Sequence, residues 1–174
     1  GNQERGVWVS YGSDFTQVRG NRIGVAADGV SPLPNAMDGV RIDSTSNTIG
    51  GPYPGDGNTI AFNAGHGVQV LTYPANAICR NSIYGNSGSG IHLADGGNNS
   101  LTAPIITRVF TDTVAGTAYS GCIVELFSDA EDEGRTYEGR VVADPSGTFT
   151  FPKTSNLTGP YITATATEGT ASNT

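Results

Sequence analysis

The sequence predicts an all-β chain in two parts: a stacked solenoid of about three short coils, then a small antiparallel β-sandwich. Three observations predict it. A motif recurs at shortening intervals, apolar residues alternate with polar ones over short runs, and turn-forming residues punctuate those runs at regular places. The recurring starts are Gly6-Val7-Trp8-Val9, Gly39-Val40-Arg41-Ile42, Gly67-Val68-Gln69-Val70 and Gly90-Ile91-His92-Leu93. Their spacings are 33, 28 and 23 residues, and the excess falls in two turn-like insertions, residues 25–34 and 52–57. A unit that keeps its anchors and tolerates insertions at fixed corners is a stacked coil.

Each coil carries further anchors. An apolar residue is followed by an Asn-x-Ile triplet: Val18 with Asn21 and Ile23, Ile49 with Asn58 and Ile60, Ile78 with Asn81 and Ile83. A second asparagine, Asn35, Asn63 or Asn86, precedes each new start by four residues. The pairs Val7/Val9, Val40/Ile42 and Val68/Val70 place alternate side chains inward, as half-buried strands require. The shortest coil has 23 residues, too few for a pair of helices but enough for three short strands joined by corners. Asparagine suits those corners because it tolerates left-handed backbone and bonds neighbouring backbone through its side chain. At equal positions it also stacks as a ladder from coil to coil. This pattern reads as corner chemistry and not as a ligand motif.

The run 94–100, Ala-Asp-Gly-Gly-Asn-Asn-Ser, lacks periodicity and ends the last coil. The expected division is coils over 1–95, a linker over 96–103 and a sandwich over 104–174. Within the sandwich, strands are expected at 105–110, 122–127, 137–143, 148–151 and 161–167. Asp144-Pro145-Ser146-Gly147 forms a turn between two of them. About 70 residues make a small core, so docking on the coil stack is expected to help it.

The stretches NTIGGPYPGDGNTIAFNAGHGVQV and NSIYGNSGSGIHLADG resemble the right-handed parallel β-helix repeats of bacterial and archaeal surface proteins. In that group the last coils often run into a small Ig-like β-sandwich. The segment VELFSDAEDEGRTYEGRVVADPSGTFTF, with YITATATEGTASNT, resembles such a domain. The resemblance implies an architecture. It implies little about function, because one fold hosts many functions.

Composition narrows the partners. The 174 residues carry a net charge of −7 and only 14% charged residues. The basic residues are eight Arg and the single Lys153, and they are scattered. Phosphate backbones need clustered basic side chains, so nucleic acid is not an expected partner. No apolar run approaches the roughly 18 residues of a membrane span, and the first residues do not read as a signal peptide. The sequence opens inside a coil, as expected of a processed mature piece or a fragment of something longer. Joining Cys79 to Cys122 would require Cα atoms within about 7 Å across two modules. Two partly buried, unpaired thiols are the expectation.

The one dense acidic stretch holds Asp129, Glu131, Asp132 and Glu133, with Glu138 and Asp144 nearby. Such an oxygen-rich loop suits Ca²⁺, which takes about six to eight oxygen ligands. It lacks a complete calcium-loop motif, so a solvated hairpin tip is the alternative. No other cofactor is expected. The carboxylates Asp28, Asp38, Asp43 and Asp56 and the arginines Arg19, Arg22, Arg41 and Arg80 are spread over coils and insertions. His66 sits in a corner and His92 faces outward, neither at metal-ligand spacing. No nucleophile elbow occurs, and the glycine-rich tract 85–90 lacks the Lys of a phosphate loop. No catalytic residue is assigned.

Trp8, Tyr11, Tyr53, Tyr73 and Tyr84 are read as exposed aromatics, able to stack on sugar faces or to pack between subunits. Asn98 and Asn156 open glycosylation sequons. A coil stack exposes unpaired edges at an open end, and a neighbour covering that end head-to-tail would build a filament. The expected function is therefore a non-catalytic extracellular or cell-surface structural module of an adhesin, surface protein or fibre. Its partners would be copies of itself or the rest of a longer surface protein. The alternative is a polysaccharide-binding module, or the end of a β-helix lyase or hydrolase.

Overall fold

Alternating Val and Ile, set between corner residues, form ten short strands in the first hundred residues. They are β1 (Val7–Val9), β2 (Gln17–Val18), β3 (Arg22–Ile23), β4 (Val40–Ile42), β5 (Thr48–Gly50), β6 (Thr59–Ala61), β7 (Val68–Val70), β8 (Ala77–Cys79), β9 (Ser82–Tyr84) and β10 (Ile91–Leu93). The computed structural model describes residues 1–130, 133–153 and 156–169. Every third strand joins the same parallel sheet, giving the orders β1-β4-β7-β10, β2-β5-β8 and β3-β6-β9. Registers match the repeat: Val18 pairs with Ile49 and Ile49 with Ile78, while Ile23 pairs with Ile60 and Ile60 with Ile83. These columns, with Val9, Val40, Ile42, Val68 and Val70, make one buried core.

The glycine that opens each repeat has a packing cause. A Cβ on Gly39 would lie 2.5 Å from Cγ2 of Ile60 and 2.7 Å from the carbonyl oxygen of Gly67. Gly6 and Gly67 are crowded in the same way by Ile23 and Ile83. The start of each repeat thus passes too close to its own third strand and to the next repeat for any side chain.

The corner asparagines read from the repeat (Asn21, Asn58 and Asn81; Asn35, Asn63 and Asn86) do not themselves take the left-handed conformation. The residue before the asparagine takes it instead: Ser46, Phe62, Ala75 and Arg80 have φ of 61°, 61°, 60° and 55°. The asparagine that follows aims its carboxamide along the stack. Residues 96–100, expected as linker, belong to this first unit, which runs to Ser100. Gly97 is buried, and Asn98 and Asn99 take positive φ in a tight turn at Gly97–Ser100.

The second unit, from Leu101, holds β11 (Ile105–Val109), β12 (Thr113–Thr117), β13 (Ile123–Asp129), β14 (Thr136–Val142), β15 (Thr148–Pro152) and β16 (Tyr161–Thr167). They pair antiparallel in two sheets, β11-β12-β15 and β14-β13-β16. Val114, Val124, Leu126, Ala143 and Phe149 form a core drawn from both. Strand β12 was not legible in the sequence. Its Gly116 argues against a strand, yet it lies where a Cβ would sit 2.2 Å from the Ile105 carbonyl oxygen and 2.6 Å from the ring of Phe149. The chain is therefore all-β, with parallel sheets followed by antiparallel ones and almost no helix. Among the described residues no helix is long and apolar enough to cross a membrane.

Candidate functional site

Strands β1, β4, β7 and β10 pair in exact repeat register, so their middle residues form an outward row: Trp8, Arg41, Gln69, His92. Period-2 alternation puts all four opposite the core-facing Val and Ile. Their side chains are linked. The Trp8 indole Nε1 donates to Asp43 Oδ2 at 2.8 Å, and Arg41 Nε donates to Asp43 Oδ1 at 2.9 Å. Arg41 Nη1 reaches Gln69 Oε1 at 3.3 Å. The Arg5 guanidinium lies over the Trp8 ring, 5.5 Å from its centroid, with Glu4 3.8 Å away. At the far end the His92 ring stacks on His66 at 4.2 Å and 7°. His66 is fixed in turn, because its Nδ1 accepts the Ser89 N–H at 3.0 Å. Trp8 nevertheless stays 57% exposed.

The second feature is the outer face of the first repeat. Asparagine ladders run along all three corners. Thr16 N donates to Asn47 Oδ1, Asn47 N to Asn76 Oδ1, and Asn76 N to Asn98 Oδ1. Asn21 N donates to Asn58 Oδ1 and Asn58 N to Asn81 Oδ1. Asn2 N donates to Asn35 Oδ1, Asn35 Nδ2 to Asn63 Oδ1, and Asn63 N to Asn86 Oδ1. Every carboxamide oxygen points back to the preceding repeat. At the first repeat, among the described residues, the Oδ1 atoms of Asn2 and Asn21 accept no hydrogen bond, and β1, β2 and β3 are paired on one side only. The ladder through Asn47, Asn76 and Asn98 escaped the sequence reading, as did Asn2. The signal was present: Asn47 and Asn76 each stand two residues before an inward Ile, the same Asn-x-Ile spacing.

The aromatics divide. Tyr11 and Tyr53 are exposed, and Tyr11 pairs with Tyr73 at 6.4 Å between ring centroids. Tyr84 corrects the expectation of an exposed ring: it is 9% exposed and packs edge-on to Phe62 at 5.4 Å. It groups with Ala61 and Val25 in a small cluster outside the main core, with Phe62 packed against it.

The acidic residues are largely engaged in turn structure. Asp129 is buried and its Oδ2 accepts the N–H groups of Gly134 and Arg135, both at 2.9 Å. Glu131 and Asp132 lie outside the described residues, and Glu133 is half-buried. Among the described residues no group of three or more His, Cys, Asp or Glu is placed to hold a metal ion. Asp38 accepts the His66 N–H, and Asp56 pairs with Arg19 at 3.7 Å. Asp28 accepts hydrogen bonds from the Ser31 hydroxyl and the Ser31 and Val30 amides, which hold its pKa down at about 2. Bonds from Ser146 and Thr148 lower Asp144. Glu138 is pushed up by burial, but bonds from Ser128 and Thr158 outweigh this and leave it lowered.

Of the two sequons, Asn98 has its carboxamide in the ladder, with Nδ2 donating to the Asn76 carbonyl at 2.7 Å. A glycan there would compete with that bond; Asn156 is exposed. Among the described residues Cys79, half-buried, and Cys122, buried, are not joined in a disulfide. Burial, with Glu168 nearby, pushes the Cys122 thiol up. No protein-family model matches the chain, and no curated protein matches it in sequence.

Proposed function

We propose that the chain is a non-catalytic, extracellular structural module: a short right-handed parallel β-helix followed by an Ig-like sandwich, joined end to end with its neighbours in a fibre or surface protein. The observation that carries this reading is the polarity of the asparagine ladders. Within the described residues the first repeat presents the carboxamide oxygens of Asn2 and Asn21 and strands paired on one side, so whatever adjoins it, a neighbour or the rest of a longer chain, meets that polarity. Unpaired edges are templates for strand addition. Two copies meeting by these same ends would set oxygen against oxygen. A neighbour continuing the stack in the same direction brings backbone N–H donors to those oxygens. The favoured contact is therefore heterologous, and such contacts build open filaments where they do not close into rings. In the row of paired side chains, Asp43 is engaged by Trp8 and Arg41, and His92 by its stack on His66.

The test is assembly of the natural material, by light scattering and negative-stain electron microscopy. Filaments are expected, with amide exchange slowed in β1, β2 and β3 on assembly. Compact monomers at high concentration, with those amides exchanging freely, overturn the reading.

A further inference from the structure

We propose that the outward row Trp8, Arg41, Gln69 and His92 binds a neutral, extended glycan chain laid along the axis of the stack. The row is straight because the strands are in register, and three strand steps of about 4.8 Å carry it roughly 14 Å, the reach of a short oligosaccharide. A linear glycan repeats on a similar scale, so successive rings meet successive strands.

The side chains suit sugar faces and hydroxyl pairs. Trp8 presents a flat apolar surface for the C–H face of a pyranose, and it is held by its bond to Asp43 while remaining 57% exposed. Arg41, Asp43 and Gln69 offer planar, fork-shaped donors and acceptors of the kind that engage neighbouring hydroxyls. His92 closes the row, braced by its stack on His66. Because these groups already hold one another, little rotamer freedom remains to be lost on binding.

Charge selects the class of glycan. Arg41 is matched by Asp43 and Arg5 by Glu4, so the row offers no net positive charge to a uronate or sulfate, on a protein whose net charge is −7. A peptide strand is a poorer fit, since it is recognised through backbone at a sheet edge and the row lies on a sheet face. The site is independent of end-to-end assembly: a monomer binds as well as a filament.

Trp8 is the only tryptophan, so fluorescence excited at the red edge, where tyrosine does not absorb, reports this row alone. The experiment titrates the full chain with cellohexaose, xylohexaose, mannohexaose and laminarihexaose, and with hexagalacturonate as the charged comparison. At least one neutral hexasaccharide is expected to change Trp8 emission saturably, with hexagalacturonate binding more weakly or not at all. Gln69→Ala and His92→Ala should each weaken that binding roughly fivefold or more, as expected for loss of one hydrogen bond or contact. Their melting temperatures show whether the variants remain folded, and Tyr53→Ala, in the 52–57 insertion, should bind normally. No change with any neutral hexasaccharide at millimolar concentration overturns the proposal. So does binding unaffected in both folded row variants, or equal or tighter binding of hexagalacturonate.

Discussion

The backbone N–H of Asn47 donates to the carboxamide oxygen of Asn76 one repeat further on, at 3.0 Å, while Asn47 Oδ1 takes the N–H of Thr16 from the repeat before, at 2.8 Å. Each such residue closes a corner where the strand ladder is interrupted and the chain would otherwise bury unpaired backbone. Interior rungs serve two neighbours, but the rung at the first repeat serves one. Asn58 bonds Asn21, Asn81 and the Val18 carbonyl and is almost fully buried, whereas Asn21 is exposed. Asn58→Ala is therefore expected to lower unfolding free energy by about 1–3 kcal/mol, because buried partners are left unsatisfied. Asn21→Ala should lose less than about 1 kcal/mol, because the backbone N–H of residue 21 still donates to Asn58 Oδ1 and the lost carboxamide is exposed. Urea denaturation of both variants decides this, and equal losses would mean that the ladder is not a continuous structural element.

The left-handed residue before the asparagine gives a substitution of opposite sign. Ala75 has φ of 60° and is exposed, so its Cβ contributes little packing to offset the strain. An L-residue in this conformation costs about 1–2 kcal/mol, and glycine avoids that at an entropic cost of about 0.5–1 kcal/mol. Ala75→Gly should therefore stabilise the chain by about 0.5–1 kcal/mol. Ala77→Gly, two residues on within β8, should destabilise it. Thermal melts of the two variants must move in opposite directions for the corner geometry to be right.

The corners explain how far the sequence could be read. Inward columns such as Val18, Ile49 and Ile78 were legible because burial imposes a strict period and identical registers repeat it. The outward direction of Trp8 followed from the same period. Tyr84 obeys the period too, but Val25, Ala61 and Phe62 from other repeats gather around it, and local alternation carries no record of such neighbours. Strand β12 was hidden for a similar reason, since Gly116 is explained only by the Ile105 carbonyl and the Phe149 ring that crowd it in space. The outward row was half visible. Its residues occupy equal repeat positions, but Asp43, which fixes both Trp8 and Arg41, lies off the motif and joins them only in space.

Acid should weaken the fold through three carboxylates that are held in ionised form. Asp28 in the insertion and Asp144 in the turn before β15 are hydrogen-bonded by hydroxyls and amides, and Glu138 by Ser128 and Thr158. Each has a folded pKa below its unfolded value, so the folded state binds fewer protons and stability rises with pH across that interval. The contribution is complete above the unfolded carboxylate values near 4. For Asp28 it is lost as pH falls from there through its folded value of about 2. Melting temperature should be level from pH 6 to about 4.5 and fall below that. Asp28→Asn and Asp144→Asn should each shallow the acid limb, and an unchanged limb in both would exclude these turns as its source.

Asp129 decides between a hairpin brace and a calcium ligand. Its Oδ2 already accepts two backbone amides, Gly134 and Arg135, from a buried position at the end of β13. A charged acceptor with two such donors makes a strong local bond. Asp129→Ala should accordingly lower stability by about 1.5–3 kcal/mol with no calcium present. Asp129→Asn keeps an oxygen acceptor and should lose less. Binding of a cation to the folded state would raise the melting temperature by mass action. To bind through Oδ2, the cation would have to draw that oxygen away from its amides. Millimolar calcium is therefore expected to leave the wild-type melting temperature unchanged. A calcium-dependent rise that disappears in Asp129→Asn would show instead that this carboxylate leaves its amides for a metal, with Glu131, Asp132 and Glu133 as its nearest acidic neighbours in the chain.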